Sequence, residues 1–270
     1  MSDSIAQRNN VSIIGQGSQT LMLAHGFGCD QTMWRFLLPL LLPDYRIVLF
    51  DYVGSGKSSL SAFNRQRYAT LEGYAEDVLD ICRALDLPPV TFVGHSVSGM
   101  IGLLAASAAP ELFERHILIC PSPCFLNHPP VYSGGFELED LQELIDLMDK
   151  NYIGWANYLA PLVVGGSGDS ALIGELSGSF CSTDPLVAKT FARATFFSDY
   201  RHILPATSQP SLILQSRHDS LAGVTVGEYM HRAMPGSRLE IMEAEGHCLH
   251  MTHPHAVSRA IQAFMNLGAV

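Results

Sequence analysis

The sequence predicts an α/β fold in which a mostly parallel sheet is flanked by helices. Two observations support this prediction. Short apolar runs rich in β-branched residues recur along the chain, and amphipathic helical segments separate several of them. Strands that alternate with helices form a parallel sheet covered on both faces. With 270 residues, 47% of them hydrophobic, the chain can bury the core of one elaborated domain.

The predicted strands are apolar enough to be buried on both faces. In chain order they are VSII (11–14), TLMLA (20–24), RIVLF (46–50), VTFVG (90–94), HILIC (116–120), SLILQ (211–215) and RLEIM (238–242). The clearest helix lies at 71–87, between the third and fourth strands. Its periodicity places five apolar side chains on one face, namely Leu71, Tyr74, Val78, Ile81 and Leu85.

The alternation of strands and helices stops between the fifth and sixth strands. Helical periods dominate there, and one face carries Leu141, Leu144, Ile145, Met148 and Tyr152. We therefore predict a first part of the core at 1–124, an inserted helical cap or lid at 125–198, and a second part of the core at 199–270. Because open α/β sheets bind ligands at the carboxyl ends of their strands, we expect the lid to cover that edge.

Composition and charge exclude several classes of partner. The formal net charge is −10 and no cluster of basic residues occurs, so we expect no nucleic-acid partner. The polar opening MSDSIAQRNN lacks the pattern of an export signal, and the apolar run at 36–43 is too short to span a bilayer. Six cysteines without CxxC spacing fit reduced thiols. We expect a cytoplasmic protein that does not bind a membrane.

The stretch FVGHSVSGMIG, residues 92–102, carries a candidate nucleophile. It runs from a predicted strand through a tight turn into a helix that we expect to start near Ser98. This is the context of the G-x-S-x-G nucleophile elbow. The flanking residues are Gly94 and Ser98, so a serine replaces the second glycine. The pattern predicts that Ser96 is the nucleophile, and an ordinary turn serine is the alternative.

A nucleophilic serine needs a base to take its proton and a carboxylate to orient that base. The strand SLILQ is followed by Asp219, and RLEIM is followed by His247. Both residues come just after the carboxyl ends of strands, at the edge that also carries Ser96. The order Ser, Asp, His is that of α/β-hydrolases. After HILIC the residues at 121–123 are Pro-Ser-Pro, which offers no rival acid.

Stabilising the oxyanion of acyl transfer requires two hydrogen-bond donors, commonly backbone N–H groups. One is expected from Val97, the residue after the nucleophile. The other should come from the loop that follows an early strand, where HGFG (25–28) follows TLMLA. We therefore expect the N–H groups of Phe27 and Val97 to form the oxyanion hole.

Two other patterns suggest different chemistry. The run 247–253 contains three histidines, but no HExxH motif occurs and a zinc-binding role for His247 would compete with catalysis. We expect neither a metal nor a cofactor, and we interpret the remaining histidines of interest as surface or capping residues: His25, His95, His218, His250, His253 and His255. The sequence GSGKS (54–58) has Asp51 where a phosphate loop requires glycine, so it is a connecting loop.

Stretches along nearly the whole chain resemble one family of α/β-hydrolases, which includes the bacterial stress-response regulator RsbQ and the plant karrikin and strigolactone receptors. The matching stretches are HGFGCDQTMW (25–34), VLFDYVGSGKS (48–58), GYAEDVLDICRALDL (73–87), FVGHSVSGMIG (92–102), PSPCFLNHPPVYSGGFE (121–137), NYIGWA (151–156), APLVVGG (160–166), FCSTDP (180–185), FFSD (196–199) and GHCLHMTHP (246–254). The elbow HSVS is closer to the plant receptors. SPCFLN, FCSTDP and GHC are more similar to the bacterial regulator and favour that branch.

The resemblance implies an esterase-competent triad beneath a lid of four helices that encloses a small hydrophobic ligand. By position, Ser96, Asp219 and His247 match the family triad, and Phe27 and Val97 match its oxyanion donors. Six residues match pocket positions, namely Phe27, Phe125, Phe136, Trp155, Leu159 and Phe196. For each of the six, ordinary core packing is the alternative.

Three functions remain open at this point. The first is a hydrolase of a small hydrophobic ester or lactone that serves stress signalling through a sensor-domain serine phosphatase. The second is a metabolic carboxylesterase or C–C bond hydrolase without a signalling partner. The third, a ligand-binding protein with an inactive triad, is disfavoured because every catalytic position is intact. Haloalkane dehalogenase chemistry is excluded, because it requires an aspartate where Ser96 stands.

Overall fold

The computed structural model describes residues 4–165 and 169–267. Its sheet contains all seven expected strands: β1 (Ser12–Ile14), β2 (Gln19–Ala24), β3 (Tyr45–Leu49), β4 (Val90–His95), β5 (Phe113–Ile119), β6 (Ser211–His218) and β7 (Ser237–Glu245). The strand order is β1-β3-β2-β4-β5-β6-β7. Only the β1–β3 pair is antiparallel. The prediction of a mostly parallel sheet is therefore confirmed.

The α-helices of the described residues flank the sheet and form the insertion. They are α1 (Ile5–Arg8), α2 (Leu38–Leu41), α3 (Leu71–Ala84), α4 (Val97–Ala108), α5 (Leu138–Lys150), α6 (Tyr152–Val164), α7 (Ser170–Ser182), α8 (Pro185–Phe196), α9 (Val224–Ala233), α10 (Leu249–Thr252) and α11 (Pro254–Met265). Helices α5–α8 lie between β5 and β6, which confirms the expected helical insertion. None of the helices in the described ranges is long and apolar enough to cross a membrane.

The hydrophobic core lies on both faces of the sheet. Phe92 and Val93 are neighbours on β4, yet they belong to different clusters of buried side chains. Successive side chains of a strand point to opposite faces, so each central strand contributes to both clusters. This double burial explains why the central strands are apolar at nearly every position instead of at every second one.

Three helix boundaries differ from the sequence prediction, and the first is the end of α3, which lies at Ala84 and not at residue 87. The periodicity from Leu141 to Tyr152 predicts one helix, but α5 ends at Lys150 and Tyr152 begins α6. The side chain of Asn151 accepts a hydrogen bond from Gly154 N and so caps α6, which breaks the period. Helix α4 begins at Val97 and not at Ser98.

Residues 1–3 of the polar N terminus and residue 166 of APLVVGG lie outside the described residues.

The inserted helices contact loops at the carboxyl edge of the sheet. Ser179 Oγ on α7 donates a hydrogen bond of 2.7 Å to the carbonyl oxygen of Gly28, in the loop after β2. The N–H of His247, in the loop after β7, donates a bond of 2.7 Å to the carbonyl oxygen of Val163 on α6. The inserted helices therefore lie over the edge at which parallel sheets bind ligands.

Candidate active site

The turn at Ser96 connects β4 to α4 through a strained backbone. Ser96 has φ +56° and ψ −123°, a conformation that L-residues rarely adopt. Its N–H donates a hydrogen bond of 2.8 Å to the carbonyl oxygen of Ile119 on β5, which helps to hold the turn. A Cβ at Gly94 would lie 2.6 Å from the carbonyl carbon of Ser98, so only glycine allows the strand and helix to approach so closely.

Ser98 stands where the elbow motif has its second glycine, and its hydroxyl makes two hydrogen-bond contacts. Ser98 Oγ is completely buried and donates a hydrogen bond of 2.5 Å to the carbonyl oxygen of His25. The hydroxyl of Tyr52 lies 2.9 Å from the same Oγ. The serine therefore joins the elbow to the loop after β2. The sequence analysis treated Ser98 only as a replacement for the second glycine and missed these contacts.

Three side chains from three loops meet in one hydrogen-bonded chain. Ser96 Oγ lies 2.7 Å from His247 Nε2, and His247 Nδ1 lies 2.7 Å from Asp219 Oδ2. The carboxylate can only accept, so Nδ1 carries the hydrogen and Nε2 is free to accept the proton of Ser96. The side chain of Asp219 is completely buried and that of His247 is 3% exposed. This is the arrangement of a nucleophile, a base and an orienting acid.

The loop after β6 holds the Asp219 carboxylate as an ionised group. Its Oδ1 accepts hydrogen bonds from the N–H groups of Leu221 (2.8 Å) and Ala222 (3.1 Å). Burial alone would raise the pKa of Asp219, but the charge of His247 and these hydrogen bonds outweigh burial and lower it. The side chain of Gln215 donates to the carbonyl oxygen of Ala222 and supports the loop from β6.

The two expected oxyanion donors are Val97, at the start of α4, and Phe27, in the loop after β2. Val97 is the first residue of α4, and N–H groups in the first turn of a helix have no partner within the helix. Phe27 follows β2 by three residues, in a loop that packs on the elbow. This loop lies so close to the elbow that a Cβ atom added to Gly26 would be 2.5 Å from Nδ1 of His95. The assignment of the Phe27 and Val97 N–H groups to the oxyanion hole stays a prediction.

Most of the expected pocket residues form one aromatic cluster around Phe27. The ring centroid of Phe27 lies 5.9 Å from that of Trp155 and 5.8 Å from that of Phe196. Phe125 lies 5.2 Å from Phe196 and 6.4 Å from Phe136. The cluster joins the loop after β2 to the inserted helices. Leu159, the sixth expected residue, is buried on α6.

Two further rings complete the cluster and were missed from the sequence. Phe180 on α7 and Phe191 on α8 lie 6.2 Å and 5.6 Å from Phe27. Phe180 opens the FCSTDP stretch, so the resemblance offered a signal for it. A Cβ at Gly28 would lie 2.2 Å from the Phe180 ring, which explains why glycine follows Phe27.

Three histidines that we interpreted as surface or capping residues are buried, so a surface position was wrong for them. His25 and His250 are completely buried and His95 is 2% exposed. Burial lowers the pKa of each of the three, so all are neutral near pH 7. His250 packs against Trp34 and His95. The expected exposure holds for the other three, which are exposed: His218, His253 and His255.

The described residues contain two groups of three potential metal ligands, and neither includes His250 or His253. One group, Cys120 with Asp219 and His247, contains two of the three residues of the hydrogen-bonded chain. In the other, which includes Cys124 and His128, the Asp199 carboxylate is held by hydrogen bonds from Arg201. The run 247–253 is therefore not folded into a single ligand set.

A family model described as "Alpha/beta hydrolase family" matches residues 21–260. The chain belongs to the α/β-hydrolase family. Within this family, it is similar to plant proteins of the karrikin and strigolactone receptor group. This α/β-hydrolase is 43% identical to karrikin insensitive 2 receptor CA of Petunia hybrida, over 94% of each chain. It is 36% identical to strigolactone esterase D14 of Arabidopsis thaliana, over 96% of each chain.

Among solved structures, this α/β-hydrolase is similar to a hydrolase from Oleispira antarctica, with a TM-score of 0.95 and 58% identity. The match covers 97% of this chain and 96% of the other. An enol-lactonase from Burkholderia xenovorans has a TM-score of 0.82 at 20% identity, over 94% of this chain and 95% of the other, and shares the fold.

Proposed function

We propose that this chain is a serine hydrolase that cleaves a small hydrophobic ester or lactone, with Ser96 as nucleophile, His247 as base and Asp219 as orienting acid. The observation that carries the proposal is the continuous pair of hydrogen bonds, 2.7 Å each, from Ser96 Oγ through the His247 ring to Asp219. A serine in this arrangement loses its proton to the base as it attacks a carbonyl carbon.

In the first half of the reaction the Ser96 Oγ–H proton passes to His247 Nε2 while Oγ bonds to the carbonyl carbon of the substrate. The carbonyl oxygen becomes an oxyanion, which accepts hydrogen bonds from the N–H groups of Phe27 and Val97. Asp219 stays ionised and stabilises the imidazolium. His247 then gives its proton to the departing alkoxide, which leaves an acyl ester on Ser96.

In the second half a water molecule replaces the alcohol. His247 Nε2 accepts a proton from the water as its oxygen attacks the acyl carbon, and the same two N–H groups bind the second oxyanion. When this intermediate collapses, the bond between Ser96 Oγ and the acyl carbon breaks and the proton returns to Oγ. The product is a carboxylic acid, and a lactone gives a hydroxy acid.

The aromatic cluster supports a small hydrophobic substrate. The rings around Phe27 are mostly buried, and sites for small molecules are lined mainly by apolar and aromatic side chains. The six pocket residues expected from the sequence are part of this proposal. One relative of 36% identity is named as a strigolactone esterase, which is in line with ester chemistry in this fold.

We propose further that the hydrolase acts in signalling in the cytoplasm, upstream of a sensor-domain serine phosphatase. The six cysteines are all unpaired, in keeping with a reducing compartment. Support for a protein partner comes from the inserted helices, whose outer faces expose large apolar side chains: Leu138 (54%), Ile153 (65%), Tyr158 (59%) and Leu186 (51%). Exposed apolar side chains on these helices would supply the contacts of a docked partner.

The first experiment tests the chemistry. Ser96→Ala should abolish hydrolysis of p-nitrophenyl acetate while the circular dichroism spectrum and the melting temperature stay close to those of the wild type. The reason is that loss of Oγ removes the covalent route but little packing. Mass spectrometry after reaction with a fluorophosphonate should show an adduct on Ser96. Turnover at the wild-type rate in the variant would refute the proposed nucleophile.

The second experiment tests the purpose in the source organism. Ser96→Ala should stop stress signalling while the phosphatase still co-purifies with the hydrolase. Tyr158→Ser should weaken co-purification and leave ester hydrolysis intact, and Leu60→Ser, an equally exposed apolar residue outside the lid, should change neither. If deletion of the gene leaves stress signalling normal and a catabolic ester or diketone accumulates, the metabolic carboxylesterase or C–C bond hydrolase is correct instead.

A further inference from the structure

His95, the residue before the proposed nucleophile, contacts the backbone of the proposed base. Its Nε2 lies 2.9 Å from the carbonyl oxygen of His247. A carbonyl oxygen only accepts, so Nε2 carries the hydrogen and donates it. The two rings also pack together, with centroids 5.1 Å apart. The histidine of the elbow is thus joined to His247 both by a hydrogen bond and by ring packing.

The surroundings of His95 keep this hydrogen bond in place. Burial, together with the nearby charge of His247, lowers the pKa of His95 to about 3, so the ring is neutral near pH 7 and has one N–H to donate. Its Nδ1 has no hydrogen-bond partner among the described residues. Gly26 packs against Nδ1, and the His250 ring lies 4.5 Å from the His95 ring. The ring is therefore fixed in one orientation.

His247, in the loop after β7, is also held by a hydrogen bond from its backbone N–H to α6. The N–H of His247 donates to the carbonyl oxygen of Val163, at 2.7 Å, in the last turn of α6. The last carbonyl groups of a helix have no partner within it, so Val163 is available for this bond. The backbone of His247 thus lies between the elbow and the lid, with one hydrogen bond to each.

We propose that His95 is a positioning residue of the triad, which fixes the backbone of His247 at the distance from Ser96 that proton transfer needs. The proposal rests on the proposed function, because it assumes that Ser96 and His247 react. His95 and Ser96 are adjacent, so the two hydrogen bonds close a ring from Ser96 Oγ through His247 and back along the chain. His247 cannot move away from Ser96 without stretching the bond to His95.

Two substitutions of similar polarity separate positioning from simple packing. The amide nitrogen of glutamine can take the place of Nε2, whereas that of asparagine is too short to reach the His247 carbonyl. For p-nitrophenyl acetate, we expect His95→Asn to lower kcat on the order of 10- to 100-fold, with KM within about twofold of the wild type. His95→Gln should restore most of kcat. The rate of Ser96 labelling by a fluorophosphonate should follow kcat in both variants.

His116→Asn is the matched control. His116 on β5 is also completely buried, but its ring packs against Phe92 of β4 and Phe113 of β5, and neither ring nitrogen has a partner among the described residues. It should lose stability without losing kcat. Positioning by His95 is refuted if His95→Asn keeps the wild-type kcat and labelling rate, or if the glutamine and asparagine variants lose both equally. A different result would refute the proposed function itself, namely hydrolysis of p-nitrophenyl acetate by Ser96→Ala.

Discussion

At the scale of single residues, the site depends on buried polar groups that are held by hydrogen bonds. Asp219 is the clearest case, because its carboxylate has no exposed surface and accepts from His247, Leu221 and Ala222. Its lowered pKa means that the folded state favours the ionised form. The resulting stabilisation is present above the unfolded-state pKa of about 3.9 and is lost as the pH falls through the lower folded-state value.

Replacing this carboxylate by an amide should separate catalysis from folding. Asp219→Asn keeps the shape of the side chain, but its NH2 group no longer stabilises the Nδ1–H tautomer of His247. We expect kcat to fall on the order of 10⁴-fold, as for other triad carboxylates, while the protein still folds. Steady-state kinetics with p-nitrophenyl acetate measure the effect. Asp86→Asn, at an exposed loop position, is the control; a loss of less than tenfold at Asp219 would contradict the role.

At the scale of elements, the strands and the order of the triad could be predicted because their signals are local. The run VTFVG and the small residues after it define both β4 and the elbow without reference to the rest of the chain. The burial of His25, His95 and His250 could not be predicted, because it depends on contacts with distant parts of the chain. The cap at Asn151 is a contact with Gly154, three residues away, so it is a local signal that the sequence analysis missed. A polar side chain in a loop carries no sign of what will later cover it.

The packing of α6 on the loop after β7 gives a prediction at the same scale. A Cβ at Gly246 would lie 2.1 Å from the carbonyl oxygen of Val164, so Gly246→Ala should push the end of the lid helix away from His247. We expect kcat to fall on the order of 10- to 100-fold. Kinetics and hydrogen exchange of α6 measure the two parts of this effect.

Gly236→Ala is the control that separates the effect of backbone strain from the effect of the close contact with α6. Gly236 has φ +72° against +90° at Gly246, but nothing lies within 4 Å of its Cβ position. Gly236→Ala should therefore lower the free energy of unfolding by about 1 kcal/mol or more through backbone strain, without changing kcat. Equal kinetic losses in the two variants would show that the close approach of α6 is unimportant.

At the scale of the whole molecule, buried neutral histidines couple stability to pH. Burial lowers the pKa of His25, His95, His116 and His250 in the folded protein, to about 3 for His95 and about 4 for His116. In the unfolded chain these rings titrate near pH 6.5, at about the ordinary value for histidine. The unfolded state therefore binds more protons below about pH 6.5, and stability must fall as the pH drops further.

His116 allows this effect to be measured away from the active site. His116→Leu removes one ring that resists protonation, so the variant should lose less stability than the wild type between pH 7 and pH 5. Urea denaturation at both pH values gives the two midpoints. Leu60→Ser, which changes an exposed residue without a titratable group, should keep the wild-type pH dependence. An identical shift of the midpoint in the wild type and in His116→Leu would contradict the assignment.

The serine at the second glycine position of the elbow has a consequence for protein engineering. Stabilisation by reversion to a motif consensus would select Ser98→Gly, since the consensus there is glycine. In this protein the change would leave the carbonyl oxygen of His25 and the hydroxyl of Tyr52 buried without the partner they have now. Each such group costs about 1–3 kcal/mol. The consensus residue is therefore the wrong choice here, because the loop after β2 and the elbow have become mutually dependent.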